Sequence, residues 1–205
     1  MRRGYAAKET RLDKNPLVLL ELVERLGNLM RSELRKAGAD ETLQPVHLQA
    51  LIYLTKANRY SNTPQALADY LGLTKGTVSQ TLLVLDRRGL LERYQDDVDK
   101  RVVRLRISAA GEQLLHENQP TLAWQNATRN ISPNRIRNAV SALRESLTTM
   151  QEDNEGSAFG ICHNCSWCQK LSQRIYRCGQ MGDRLSGPET RKICWIFQAK
   201  TDDAG

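Results

Sequence analysis

Five cysteines carry the most explicit chemistry in this chain. They stand as Cys162, two residues, Cys165, two residues, Cys168, and then Cys178 and Cys194. The segment from residue 158 onward holds every cysteine and two of the three tryptophans. At about 45 residues it is near or below the size at which an apolar core alone holds a fold, so it needs a disulfide or a metal. Three thiolates at repeated two-residue gaps can wrap one corner of an inorganic cluster while a fourth ligand arrives from farther away, as in the bacterial ferredoxin run around [4Fe–4S]. A tetrahedral zinc site more often takes two separated C-x-x-C pairs, and neither Cys178 nor Cys194 has a close partner. Zinc could still be held by Cys165, Cys168, Cys178 and Cys194 with Cys162 left over. All five are therefore metal-ligand candidates: an iron–sulfur cluster, foremost [4Fe–4S], is the leading reading, zinc the alternative and free redox thiols a third. His163 can replace a thiolate or point away. Trp167, Tyr176, Trp195 and Phe197 are expected to pack around the site. Arg174, Arg177, Arg184, Arg191 and Lys192 either offset its negative charge or form a solvated face.

A second set of side chains suits a polyanion. Residues 74–107 read as a helix, a strand, a charged turn and a second strand. Thr74 is a good N-cap, Gly89 sits past the last turn, and Val78, Leu82 and Leu85 recur at i, i+4 and i+7 as one apolar face. On a wheel of ~100° per residue, Gly76, Thr77, Gln80 and Arg87 fall on the far side, with Lys75 and Ser79 nearer its edges. Small side chains let a backbone approach bases, Gln and Ser bond to base edges, and Lys or Arg meets phosphate. The strands are expected at 90–94 and 102–107, with a turn whose tip carries Lys100 and Arg101 and can reach a minor groove or the backbone. Upstream, Thr63 and Pro64 open a two-turn helix, and Gly72 and Leu73 make a tight turn into Thr74. Helix, turn, helix and ribbon together form a candidate DNA reader. Its contact set is Lys75, Thr77, Ser79, Gln80, Arg87, Lys100 and Arg101. The same elements can also serve as an ordinary core, or as a winged helix used for protein contacts.

The run PQALADYLGLTKGTVSQTLLVLDRRGLLERYQDDVDKRVVRLRISAAGEQLL, and within it LTKGTVSQ, RRGLLERY and DKR, resembles the winged helix-turn-helix of the MarR family of bacterial and archaeal transcription regulators. The resemblance extends over residues 15–151, about two thirds of the chain. It implies an obligate homodimer with intertwined terminal helices on double-stranded DNA bearing a near-palindromic operator. Recognition-helix contacts are then expected from Lys75, Thr77, Ser79 and Gln80, and wing contacts from Arg101 with Lys100. Leu83 and Val84 depart from the family's charged or polar pattern, and an extra element of the chain is expected to cover them. The cysteine segment lies outside the family's common pattern.

A net charge of +7 suits a polyanionic partner. No apolar run approaches the ~20 residues of a membrane span, and residues 1–15 show no apolar signal region, which points to a cytoplasmic protein without a membrane partner. That compartment keeps thiols reduced, which disfavours disulfides and leaves metal for the cysteines. No Walker loop, dinucleotide fingerprint, Ser/His/Asp set or C-x-x-x-C-x-x-C spacing is present, so the chain is not expected to be an enzyme.

The expected fold is mainly α with a small β-hairpin wing. It divides into an N-terminal dimerisation helix (1–40), a winged helix-turn-helix (41–107), C-terminal dimerisation helices (108–152) and a Cys-rich metal-binding extension (153–205). Asn15 and Pro16 start the first helix, whose broad stripe includes Leu19, Leu20, Val23, Leu26 and Leu29. Residues 38–44 connect to a helix opened by Pro45, with Val46, Leu48, Leu51, Ile52 and Leu54 buried and His47 at its surface or cap. Residues 58–62 read as a polar link. Ser108 caps a helix that Pro120 should kink, Ser132 and Pro133 start another, and 152–157 mark the boundary. The expected function is operator binding controlled by redox state, iron, oxygen or nitric oxide, transmitted through the dimer helix that the extension directly follows. The competing expectations are structural zinc without sensing and a response to phenolic small molecules.

Overall fold

The computed structural model describes residues 15–37, 43–118, 122–153 and 158–200. The expected kink at Pro120, most of the connector at 38–44 and most of the boundary at 152–157 lie outside the described residues. The helices are α1 (Pro16–Ala37), α2 (Pro45–Lys56), α3 (Pro64–Leu71), α4 (Lys75–Arg87), α5 (Ala109–Asn118), α6 (Leu122–Thr128) and α7 (Pro133–Asp153). Strands β1 (Leu91–Gln95) and β2 (Val103–Ile107) form the antiparallel wing, with Leu91 opposite Ile107 and Gln95 opposite Val103.

Local chemistry sets these boundaries. Thr63 Oγ1 accepts from Ala66 N at 3.1 Å and Thr74 Oγ1 from Thr77 N at 3.2 Å, so each helix of the reader starts on a threonine that satisfies an orphan amide. Gly72 and Gly89 end α3 and α4 at φ 63° and 66°, a left-handed conformation that a side chain disfavours. Ser108 caps α5 through Gly111 N and also donates to Gly89 O at 2.6 Å, tying the end of the wing to the end of α4.

The main core joins α2, α3, α4 and the wing through Leu51, Leu54, Leu67, Val78, Leu82, Leu85, Leu91 and Leu105. Val46 and Ile52 are only half-buried, whereas Tyr53 is fully buried and donates to Ser61 O at 2.6 Å. His47 caps α2, its Nδ1 accepting from Gln44 N at 2.9 Å. In contrast, α1 and α7 leave apolar side chains in solvent, among them Leu20, Leu29, Leu143, Leu147 and Met150, the last 64% exposed. Among the described residues, these parts of the α1 and α7 stripes are left largely uncovered.

The extension consists of short pieces. Strand β3 (Gly160–Ile161) pairs antiparallel with β7 (Ile193–Cys194), and β4 (Cys168–Lys170), β5 (Ile175–Cys178) and β6 (Arg184–Ser186) form a three-stranded sheet. A 3-10 turn at Cys162–Asn164 and another at Glu189–Arg191 link them.

Candidate nucleic-acid interface and thiol cluster

The polar face of α4 is available in full. Lys75, Gly76, Thr77, Ser79, Gln80 and Arg87 are exposed, while Val78, Thr81, Leu82 and Leu85 turn inward. Thr77 is partly engaged at home, its hydroxyl 2.9 Å from that of Thr74. Arg87 lies in the last turn, about 18 Å along the axis from Lys75 at 1.5 Å per residue, so it can reach only flanking phosphate when the N-terminal turns enter a groove.

The wing tip is more structured than a basic turn. Asp96 accepts from Val98 N, Asp99 N and, at 2.7 Å, Arg104 Nε. These bonds hold its carboxyl down near pKa 2, the backbone amide of Asp99 contributing most. Arg101 sits on Asp99, Nε to Oδ1 at 3.1 Å, and Lys100 lies 3.8 Å from Asp97. With three aspartates around two cations the tip is not a plain positive point. Asp99 instead presents the Arg101 guanidinium, 90% exposed, in one orientation.

Thiols gather in the extension. Cys162, Cys178 and Cys194 share one buried cluster with Leu185 and Tyr60, and Cys168, Tyr176 and Phe197 pack against it. Cys168 and Cys178 are register partners on β4 and β5. Cys165 is buried beside them and accepts from Gln198 N at 3.4 Å. All five are free thiols. Burial pushes the Cys162, Cys168 and Cys194 thiols up, and neighbouring sulfurs add to the shift on Cys162. Deprotonation therefore needs a compensating cation. Among the described residues, no group of three or more His, Cys, Asp or Glu is set to hold a metal ion as it stands. The donor set is nevertheless all soft sulfur, the chemistry of zinc or iron–sulfur centres. His163 is exposed, with its ring 5.9 Å from that of Tyr176.

One expectation about the extension needs correction, and one finding goes beyond the sequence reading. The polar link at 58–62 is also the seat of the extension: Asn58, Tyr60 and Ser61 are buried, because the extension lies on top of them. Asn58 N donates to Ile193 O at 2.9 Å, Ser61 Oγ accepts from Trp195 N at 2.8 Å, and Tyr60 OH donates to Asp183 at 2.8 Å. Arg59 pairs with Glu189. Ile193 and Phe159 join the main core, and the Phe159 ring stands edge-on to Tyr70 at 5.1 Å. Trp195 does not pack around the thiols; its indole N–H bonds Asp69 at 3.1 Å, and the side chain lines a groove of about 490 Å³ with Lys75, Ser79, Arg93 and Val103. Trp167 is 40% exposed, its ring beside Gly179, the residue after Cys178. The extension thus docks on the reader at the α2–α3 link. Leu83 and Val84 are half-buried, and they take no part in the hydrogen bonds named above between the extension and the reader. No sequence periodicity marks these contacts; the cluster Asn58, Tyr60, Ser61 between two apolar helices was the available signal.

Residues 42–102 match the sequence profile of the MarR family. They fold as a helix-turn-helix followed by a two-stranded wing. The chain is 32% identical over 100 residues to the transcriptional repressor MprA of Escherichia coli K12, across 49% of this chain and 52% of the relative, so it spans about half the length of the curated relatives it matches. A MarR transcriptional regulator from Methanosarcina mazei Go1 shares the fold at TM-score 0.55 and 17% identity, covering 66% of this chain and 97% of that one. The S. aureus MepR–DNA complex does so at TM-score 0.52 and 21% identity, covering 63% and 96%. Nearly the whole of each MarR-type neighbour is matched, while about a third of this chain has no counterpart in them. No helix among the described residues is long and apolar enough to cross a membrane.

Proposed function

We propose that this protein is a homodimeric DNA-binding transcription regulator whose operator affinity is set by an iron–sulfur cluster held by its C-terminal extension. One observation carries the reading: a MarR-type reader with its polar recognition face open has a five-thiol cluster packed onto the same lobe. The matched relative is a transcriptional repressor and one structural neighbour is a DNA complex, which favours operator binding over catalysis. The bare apolar stripes of α1 and α7 suit a second copy of the chain, and a two-fold dimer sets two recognition helices about 34 Å apart on a near-palindromic site of double-stranded DNA. In this reading Lys75, Ser79 and Gln80 read bases, Thr77 supports them, and Arg87, Lys100 and Arg101 meet phosphate.

The residues present suit a cluster in donor type. Cys162, Cys165, Cys168, Cys178 and Cys194 supply the four thiolates with one to spare, and Tyr60, Tyr176, Leu185 and Phe197 shield them from water. When bound, the cluster supplies a centre that oxidants or nitric oxide can alter. Three thiols at repeated two-residue gaps suit separate corners of one multi-iron cluster, whereas a single zinc ion needs four sulfurs each ~2.3 Å away. A zinc site is the second reading, favoured by the Cys165–Cys168 turn, where Cys168 N bonds Cys165 O at 3.1 Å. Anaerobic purification with metal and sulfide analysis decides between them. Iron and sulfide in stoichiometric amounts with absorbance near 400 nm are expected; a colourless protein with one zinc per chain overturns the cluster.

A further inference from the structure

We infer that the thiol extension controls the DNA reader of its own protomer directly, through residues 57–61, with Asn58, Ser61 and Trp195 as positioning residues. This inference rests on the sensor reading above and replaces the dimer-helix route that chain order suggests.

The carrying observation is a continuous hydrogen-bonded path from the strand that bears Cys194 to the wing. Asn58 N donates to Ile193 O at 2.9 Å, and the Asn58 Oδ1 accepts from Tyr60 N at 3.0 Å and Ser61 Oγ at 2.7 Å. Those bonds fix the shape of the link. The link is in turn stitched to β2. Arg104 Nη1 donates to Arg59 O at 2.6 Å, Leu105 N to Asn62 O at 2.7 Å, and Asn62 Nδ2 returns a bond to Leu105 O at 3.1 Å. Arg104 also holds Asp96, which organises the turn that carries Arg101. A second branch runs through Trp195, the residue after Cys194. Its backbone bonds Ser61, its indole bonds Asp69 on α3, and its side chain stands in the groove between α4 and the wing.

Contiguity alone is not coupling; a path needs an element with two states. The extension has the makings of one. Its strands are two to four residues long and its core is largely thiol, so ligation of those thiols decides how firmly it is ordered. When it loosens, Ile193 leaves the main core, and Asn58 and Ser61 lose the partners that keep them satisfied while buried. The link then relaxes, and α3 and the wing, which flank the recognition helix, lose their fixed register.

The test is hydrogen exchange on the full chain, loaded anaerobically with Fe²⁺ and sulfide or with Zn²⁺ alone, and then stripped by a chelator. Stripping is expected to speed exchange in the extension and, by about tenfold or more, at residues 58–62 and at Leu105. A change confined to the extension, or one that appears in α7 instead of the link, overturns the inference. Operator affinity supplies the second measurement. If stripping changes wild-type affinity about tenfold, loaded Trp195→Phe should already bind close to the stripped wild-type affinity and show less than about a threefold further change on stripping. A Trp195→Phe protein that keeps the full ratio contradicts the role given to Trp195. Equal wild-type affinity in both states, together with altered exchange at 58–62, removes the sensor reading but leaves the physical coupling standing.

Discussion

The reader and the extension are built on opposite principles. The reader is a continuous apolar core in which Leu48, Leu51, Leu67 and Leu85 are wholly buried and every helix start is capped. The extension has seven basic side chains against two acidic ones among residues 158–200, and its buried cluster is mostly sulfur. Both of those acids, Asp183 and Glu189, are spent on holding the reader, through Tyr60 and Arg59. One region folds because it buries hydrocarbon; the other rests on its partner lobe and, in the proposed function, on what its thiols hold. That difference suits a stable DNA-binding unit carrying a conditional appendage.

The contrast breaks most visibly if the thiols are emptied. Chelation, or Cys178→Ser, should abolish exchange protection across β3 to β7 while the reader retains its own unfolding transition, followed by far-UV circular dichroism. Simultaneous loss of both transitions would mean that the two regions are a single unit. Next in size, Leu85→Ala should destabilise the reader by about 2–5 kcal/mol in denaturant titrations, since it opens a cavity at a site with no exposure. An equal loss from Leu185→Ala in the extension would erase the distinction.

Within the reader, Gln80→Ala should cost about 1–3 kcal/mol of discrimination between operator and mismatched sites, with little effect on non-specific binding. Arg101→Ala should weaken binding to all sequences and lower the salt slope by about one per protomer, read from affinities at several salt concentrations. The smallest effect concerns pH. Burial, and then Arg88, lower the His47 pKa from its ordinary 6.5. The neutral ring is the form that accepts from Gln44 N, so this contribution to stability is complete above about pH 6.5 and is lost as pH falls through the depressed folded value. His47→Gln should flatten that part of the stability profile.

The reader was largely legible in the sequence, and for physical reasons. Threonine caps, positive-φ glycines and the spacing of Val78, Leu82 and Leu85 are local signals, and α4 and the wing lie within a residue of where those signals put them. The candidate DNA contacts followed from the same wheel. What could not be read was long-range. Residues 58–62 look like a polar connector until Ile193 and Trp195, more than a hundred residues later, bury them. Tyr60 enters the thiol cluster by the same route. Leu83 and Val84 drew attention as uncovered apolar positions, yet the extension is seated elsewhere. Nor does the pattern of Asp96, Asp97 and Asp99 around Lys100 and Arg101 disclose that the carboxylates orient the guanidinium.

The central claim is that the occupancy of the thiol cluster governs operator binding. Its most direct test is the affinity of the full chain for a duplex operator selected from random DNA, measured anaerobically on one preparation before and after the metal is removed. The account predicts a change of about tenfold or more, equivalent to ~1.4 kcal/mol of coupling. Identical affinity in the two states would contradict it.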